Sequence, residues 1–265
     1  MAQAPVVYDR FSCSKCADQG SLDFDFTMAF QPIINCKTNT IFGYEALVRG
    51  LGNESAYSII SKVNDDNRYL FDQLCRVKAI ALASQLKLDS ILSINFLPNA
   101  IYKPERCIRT TLDAAEKYEF PIERIMFEFT EVEKIEDSGF IREIVEYYKN
   151  SGFITAIDDF GSGYAGLGLL ADFQTNVVKL DMELIRNIDR DKSRQHIIRN
   201  CLNLFADLDI TPLAEGIETL GEMIWLRESG IELMQGYLFA KPGFECLPSV
   251  DFSELTADDL LTDFR

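Results

Sequence analysis

Two rhythms of apolar and polar positions alternate along this chain. Short apolar runs, rich in β-branched and aromatic side chains, recur from residue 27 to residue 238. Between them lie longer stretches whose apolar residues repeat every three or four positions. The runs predict strands at 27–33, 43–48, 91–95, 124–129, 153–158, 177–180, 211–214 and 233–238. The intervening stretches predict helices at 56–63, 69–86, 105–118, 140–149, 194–207 and 219–228. Leu70, Leu74, Val77 and Ala81 show the helical spacing, as do Ile197, Cys201, Leu204 and Leu208. Eight strands alternating with helices predict an α/β fold of the (β/α)8 barrel type. The first two strands are joined only by Asn35 to Ile41, too short for a crossover helix. They should therefore form an antiparallel hairpin, which gives the barrel one irregular opening strand.

At or near the ends of these runs stand Gln31, Glu45, Asn95, Glu128, Asp158, Lys179, Glu215 and Gln235. None of the eight is apolar. Burying an unpaired carboxylate costs several kcal/mol, so a single one would be an oddity. A whole set at one end of a barrel, where such folds place their active sites, points to a divalent-cation site. Asp158 and Asp159 are adjacent and would face opposite sides of a regular strand. With Gly161 and Gly163 following, the backbone is free to turn and bring both toward one site. One carboxylate of such a pair can bridge two cations about 3.5–4 Å apart. An all-oxygen set favours Mg²⁺ or Mn²⁺ over zinc. The single histidine, His196, falls on a predicted outer helix, which argues against histidine-based catalysis. Lys179 sits inside an apolar run, where it can stabilise charge on a phosphoryl group. Arg49 follows Glu45 by four residues; its spacing fits a phosphate contact at the rim or a solvated side chain.

Composition narrows the ligand. The 265 residues suit one large α/β domain or two small ones. A net charge of −16 and a pI near 4.5 exclude a general surface for nucleic-acid polymers or anionic membranes. A small phosphorylated ligand held through metal ions remains open. No run reaches the roughly 18 apolar residues of a membrane span. The first residues lack the basic-then-apolar pattern of a secretory signal, so a cytoplasmic location is expected. Seven cysteines, an odd number in a chain of this size, favour reduced thiols over a disulfide framework. Cys13 and Cys16 form one CxxC with no second pair and no nearby histidine. That favours two thiols in an N-terminal extension over a metal or redox switch.

Several motifs in one order give the chain a resemblance. Glu45-Ala46-Leu47, with Val48-Arg49, resembles the name-giving motif of the EAL-domain cyclic di-GMP phosphodiesterases. Further blocks are Ser93-Ile94-Asn95-Phe96, Phe127-Glu128-Phe129-Thr130-Glu131, Asp158-Asp159-Phe160-Gly161-Ser162-Gly163-Tyr164, Lys179-Leu180-Asp181, Ala214-Glu215-Gly216-Ile217-Glu218 and Gln235-Gly236-Tyr237. The resemblance implies a modified TIM barrel with an antiparallel first strand. It implies an N-terminal extension over 1–25, the EAL barrel over 26–247 and an acidic tail over 248–265. It also implies hydrolysis of cyclic di-GMP to linear pGpG with two Mg²⁺ or Mn²⁺ ions. Glu45, Asn95, Glu128, Asp158 and Asp159 match metal-ligand positions. Lys179 matches a lysine that contacts the attacking water, and Glu215 a glutamate of the metal–water cluster. Leu47 and Arg49 match substrate contacts, Gln31 is a further candidate, and Gln235 matches a glutamine near the site. Glu131 matches a glutamate that braces the loop after the paired aspartates. Departures are small: Ser162 stands where threonine is commoner, and Phe129 where leucine is usual. The family suggests a homodimer and leaves room for a regulatory protein partner. Two other readings, a silent cyclic di-GMP receptor and a protein-interaction module, would be favoured by loss of a ligand, of the lysine or of Arg49. All are present.

Overall fold

A computed structural model of the chain describes residues 22–97, 103–129, 138–162 and 167–255. Its strands are β1 (Thr27–Asn35), β2 (Thr40–Arg49), β3 (Ile91–Phe96), β4 (Ile125–Phe129), β5 (Ile154–Phe160), β6 (Val177–Leu180), β7 (Thr211–Ala214), β8 (Leu233–Gln235) and β9 (Gly243–Phe244). The helices are α1 (Ala56–Ile60), α2 (Arg68–Gln85), α3 (Pro104–Lys117), α4 (Ser138–Asn150), α5 (Leu167–Asp172), α6 (Met182–Ile185), α7 (Lys192–Asp207) and α8 (Leu220–Glu228). The sheet runs β2-β3-β4-β5-β6-β7-β8-β1-β9, and β1 also pairs with β2, closing a ring of eight strands. From β2 to β8 neighbours are parallel, whereas β1 is antiparallel to both β2 and β8. This is the closed α/β barrel with a reversed first strand expected from the short first connection. Asn35 makes that turn: its Oδ1 accepts from the backbone N–H of Lys37 at 2.9 Å and of Thr38 at 3.0 Å. Asn39 completes it with a φ of 52°.

The barrel interior is layered. Ile33, Met126, Ala156, Val177, Leu213 and Leu233 pack together as an apolar floor. Side chains on a strand share a face every second residue, so the next inward positions are Glu128, Asp158, Lys179, Glu215 and Gln235. On the reversed β1 the same step leads back from Ile33 to Gln31. One offset of two residues thus sets a ring of polar groups on an apolar plug. The outer faces of the strands join the helices in a larger core, in which Phe127 packs near Phe96, Tyr148 and Phe153. Side chains fix the helix starts. Asp191 Oδ1 accepts from Ser193 N and Arg194 N at α7, and Thr219 with Glu222 forms a capping box at α8. Such caps contribute about 1 kcal/mol each.

Some boundaries differ from those expected. β1 and β2 are longer than predicted, so Gln31 and Glu45 lie mid-strand, directly opposite one another, rather than at strand ends. β8 stops at Gln235 instead of residue 238. At the next residue, Gly236, a Cβ would stand 2.0 Å from the Ile217 carbonyl oxygen. α5, α6 and β9 were not predicted at all. The chain after Leu247 also packs more closely than its acidic composition suggests. Tyr44 Oη donates to the Pro248 carbonyl at 2.9 Å, and Leu255 is buried in the core.

Candidate active site

β5 ends in a distortion that shapes the site. Its pairing with β6 shifts register between Ile157 and Phe160. Within that bulge Asp159 has a φ of 53°, and Gly161 follows at 102°. A bulge re-aims the side chains it carries, and aspartate tolerates the left-handed region better than most residues. The two neighbouring carboxylates therefore turn toward one place. Asp158, Asp159 and Glu215 each bring an oxygen within 4.8 Å of the others. Gly161 has no room for a side chain: a Cβ there would meet Leu184 Cδ1 at 2.3 Å.

Lys179 stands at the centre of the ring, 1% exposed. Its Nζ lies 2.8 Å from Glu128 Oε2, 2.9 Å from Asp158 Oδ1, 2.8 Å from Glu215 Oε1 and 3.7 Å from Glu45 Oε2. Asn95 Nδ2 donates to Glu45 Oε1 at 2.7 Å, and Gln235 Nε2 donates to Glu45 Oε2 at 2.8 Å. Gln235 Nε2 also reaches Gln31 Oε1 at 3.3 Å, while Gln31 Nε2 donates to the Ala240 carbonyl at 3.2 Å. Ser93 Oγ donates to Glu128 Oε1 at 2.5 Å. Glu45 and Glu128 are thus tied to β3 and stand apart from the tight group of three.

The charges do not balance. Four carboxylates lie within 4 Å of one ammonium in a largely buried space, and Asp159 stands beside them. Burial, then the neighbouring Glu45, pushes Glu128 well above the usual carboxylate range despite the opposing pull of Lys179. Burial likewise raises Glu215. Burial and the adjacent Asp158 push Asp159 up to about 6. Burial alone would depress Lys179, but Asp158, Glu128, Glu215 and Glu45 outweigh it and raise its pKa. Glu128 Oε2 and Asp158 Oδ1 have Lys179 Nζ as their close partner, at 2.8 and 2.9 Å. Buried oxygens with unmatched negative charge fit hard divalent cations.

A cavity of about 360 Å³ opens beside these groups, with Glu45, Asn95, Asp158 and Asp159 in its polar wall and Leu47 and Val48 in its apolar wall. Glu45, Leu47 and Arg49 alternate along β2 and so share a face. Arg49 Nη1 donates to the Val48 carbonyl at 2.7 Å. A larger depression of about 600 Å³, lined by Arg142, Glu146, Lys149 and Gln174, contains none of the predicted residues. Its Arg142 and Glu146 pair with each other at 2.8 Å. His196 is exposed on α7, as expected. Glu131, Gly163, Cys13 and Cys16 lie outside the described residues. Sequence reasoning missed Ser93, although it lies two residues before Asn95 and so on the same face of β3.

The family model for the EAL domain matches residues 19–242. The chain belongs to the EAL domain family. The blue light- and temperature-regulated antirepressor BluF of Escherichia coli is 33% identical over 227 residues, covering 85% of this chain and 56% of BluF. The probable cyclic di-GMP phosphodiesterase PdeG of the same organism is 28% identical over 224 residues, covering 80% and 44%. The chain thus spans about half the length of these curated EAL relatives. Among solved structures, a standalone versatile EAL protein from Vibrio cholerae O395 in its c-di-GMP bound form is 72% identical. It aligns with a TM-score of 0.87, covering 89% of this chain and 100% of that one. BlrP1 of Klebsiella pneumoniae, with manganese and cyclic di-GMP at pH 9.0, is 34% identical with a TM-score of 0.78, covering 83% and 56%.

Proposed function

We propose that this chain hydrolyses cyclic di-GMP to linear pGpG with two divalent cations, Mg²⁺ or Mn²⁺. One observation carries the reading: Asp158, Asp159 and Glu215 converge within 4.8 Å beside Lys179, at the mouth of a barrel whose relatives are solved with this nucleotide. Asp158 and Asp159, with Glu45, Asn95 and Glu128, would hold the cations. Bound there, the cations supply Lewis acidity and activate water at neutral pH. Lys179, fixed by its carboxylates, orients the attacking water and offsets charge on the phosphoryl oxygens. Water adds to phosphorus, one P–O3′ bond breaks, and the ring opens to a dinucleotide with a 5′-phosphate. Leu47 and Arg49 extend the β2 row toward the nucleotide, Arg49 toward a phosphate. Gln235 braces Glu45 and is itself held by Gln31; both would line the substrate side, and Glu131 supports the loop after the aspartates. A cytoplasmic homodimer of the 26–247 barrel, open to a regulatory protein partner, belongs to the same proposal.

A protein-interaction reading draws on the relative named an antirepressor, and it would leave the chain with neither product nor nucleotide binding. The two separate in one experiment. Cyclic di-GMP is incubated with the protein and Mg²⁺, Mn²⁺ or EDTA, and the products are chromatographed. Metal-dependent pGpG is the expected result. Tight nucleotide binding without product would establish a receptor.

A further inference from the structure

β3 runs between the strands that carry Glu45 and Glu128, and it offers each carboxylate a neutral hydrogen-bond donor. Ser93 and Asn95 are two residues apart and share the inward face of the strand. Asn95 Nδ2 serves Glu45 Oε1 at 2.7 Å, and Ser93 Oγ serves Glu128 Oε1 at 2.5 Å. Ser93 and Glu128 are both fully buried. The remaining oxygen, Glu128 Oε2, faces the centre of the ring, where it lies 2.8 Å from Lys179 Nζ.

We infer that Ser93 is a positioning residue, whose hydroxyl holds Glu128 Oε1 and thereby turns Oε2 toward the cation site. The inference rests on the cation reading above. A glutamate carboxyl rotates over a broad torsional well, so one oxygen must be anchored if the other is to be aimed. A hydroxyl bonded to a carboxylate is short and roughly twice as strong as a neutral pair. It also adds no positive charge. A second ammonium would have competed with the cations for these carboxylates, whereas serine orients Glu128 without adding a competing positive charge. Groups that hold a metal ligand from behind typically change metal affinity 10–100-fold when removed.

The test measures Mn²⁺ binding by calorimetry, without nucleotide, on the full chain carrying Ser93→Ala or Ser93→Thr, with Tm recorded beside it. Ser93→Ala should weaken Mn²⁺ binding about tenfold or more, and Ser93→Thr should recover most of that loss. Wild-type Mn²⁺ affinity in Ser93→Ala would overturn the inference, even with a lowered Tm, because a merely structural serine would behave so. Equal weakness of a folded Ser93→Thr would overturn it as well, since volume rather than the hydroxyl would then matter. A wild-type chain that takes up no Mn²⁺ would overturn the cation reading itself.

Discussion

Two buried cations in this barrel live in opposite surroundings. Arg76 on α2 is fully buried and meets one carboxylate, with its Nη2 2.5 Å from Asp72 Oδ2. Its Nη1 donates to Tyr148 Oη at 3.3 Å, and its guanidinium lies 5.3 Å from the rings of Phe96 and Phe127. Asp72 Oδ1 accepts from the backbone N–H of Leu97, which ties α2 to the end of β3 at 3.1 Å. Burial pushes the Tyr148 hydroxyl up to about 12, so it stays a neutral partner. The guanidinium has a buried carboxylate as its partner and lies against aromatic rings. Around Lys179 charge is not matched at all. The contrast separates two reasons for burying charge: a balanced pair fastens elements together, and an unbalanced cluster awaits a counter-ion.

The largest expected effect lies on the unbalanced side. Glu128→Ala removes a carboxylate whose burial is unfavourable, so the fold should persist while turnover of cyclic di-GMP falls by more than about a hundredfold. Turnover assays beside thermal denaturation would check both halves, and normal turnover would remove Glu128 from the chemistry. The balanced side should respond the other way. Arg76→Met removes the guanidinium that pairs with the buried Asp72 carboxylate, at a cost of about 3–5 kcal/mol. In a domain of this size that lowers Tm by roughly 10 °C. Adding Asp72→Leu should restore much of the loss, since apolar replacement of a whole buried pair is often neutral. A Tm unchanged by Arg76→Met would mean that the pair fastens nothing.

Metal addition sharpens the comparison at a smaller scale. Mn²⁺ at a hundredfold excess over its dissociation constant should stabilise the wild type by about 2.7 kcal/mol. Asp159 is raised to about 6, above the ordinary aspartate near 4. As pH climbs between those values the unfolded chain releases its proton first, so the metal-free fold loses stability across that window. A cation offsets the loss. The rise in Tm on adding Mn²⁺ should therefore be larger at pH 8 than at pH 5. Arg76→Met should show the same rise from its lower baseline, because its lesion lies in the other region. A rise independent of pH would show that these carboxylates do not hold the ion.

Much of the barrel was legible because its strands are apolar runs of β-branched and aromatic residues separated by longer amphipathic stretches. α5 and α6 were not, since six and four residues are too few to show a helical period. The ring of polar residues was read as strand ends, although Glu45 sits mid-strand. The second strand is expected over 43–48, yet β2 begins at Thr40 and runs on to Arg49. The turn at the paired aspartates was anticipated and assigned to the glycines. Asp159 itself takes the left-handed φ, with Gly161 behind it. Ser93 stands in a motif block and on the face of Asn95, yet a small hydroxyl inside an apolar run has no evident role until its neighbour across the sheet is known. The Asp72–Arg76 pair misleads for a different reason. An acid and a base four apart on a helix suggest a solvated surface pair, and only packing of α2 against the barrel shows them fully buried.

The smallest expected effect decides who owns the pH dependence. When a rate breaks near pH 6, a histidine is the usual suspect, and this chain has only His196. It is exposed on α7 and takes no part in the carboxylate ring. His196→Gln should leave turnover and its pH profile within experimental error. With the imidazole gone, any break that persists near pH 6 arises elsewhere than His196, and the barrel mouth is where Asp159, before a cation binds, is raised to about 6. Asp159→Asn should then remove the break along with most of the turnover. A profile that flattens in His196→Gln instead would move the titrating group out of the barrel mouth, and would break the contrast between a cluster that awaits cations and a pair that does not.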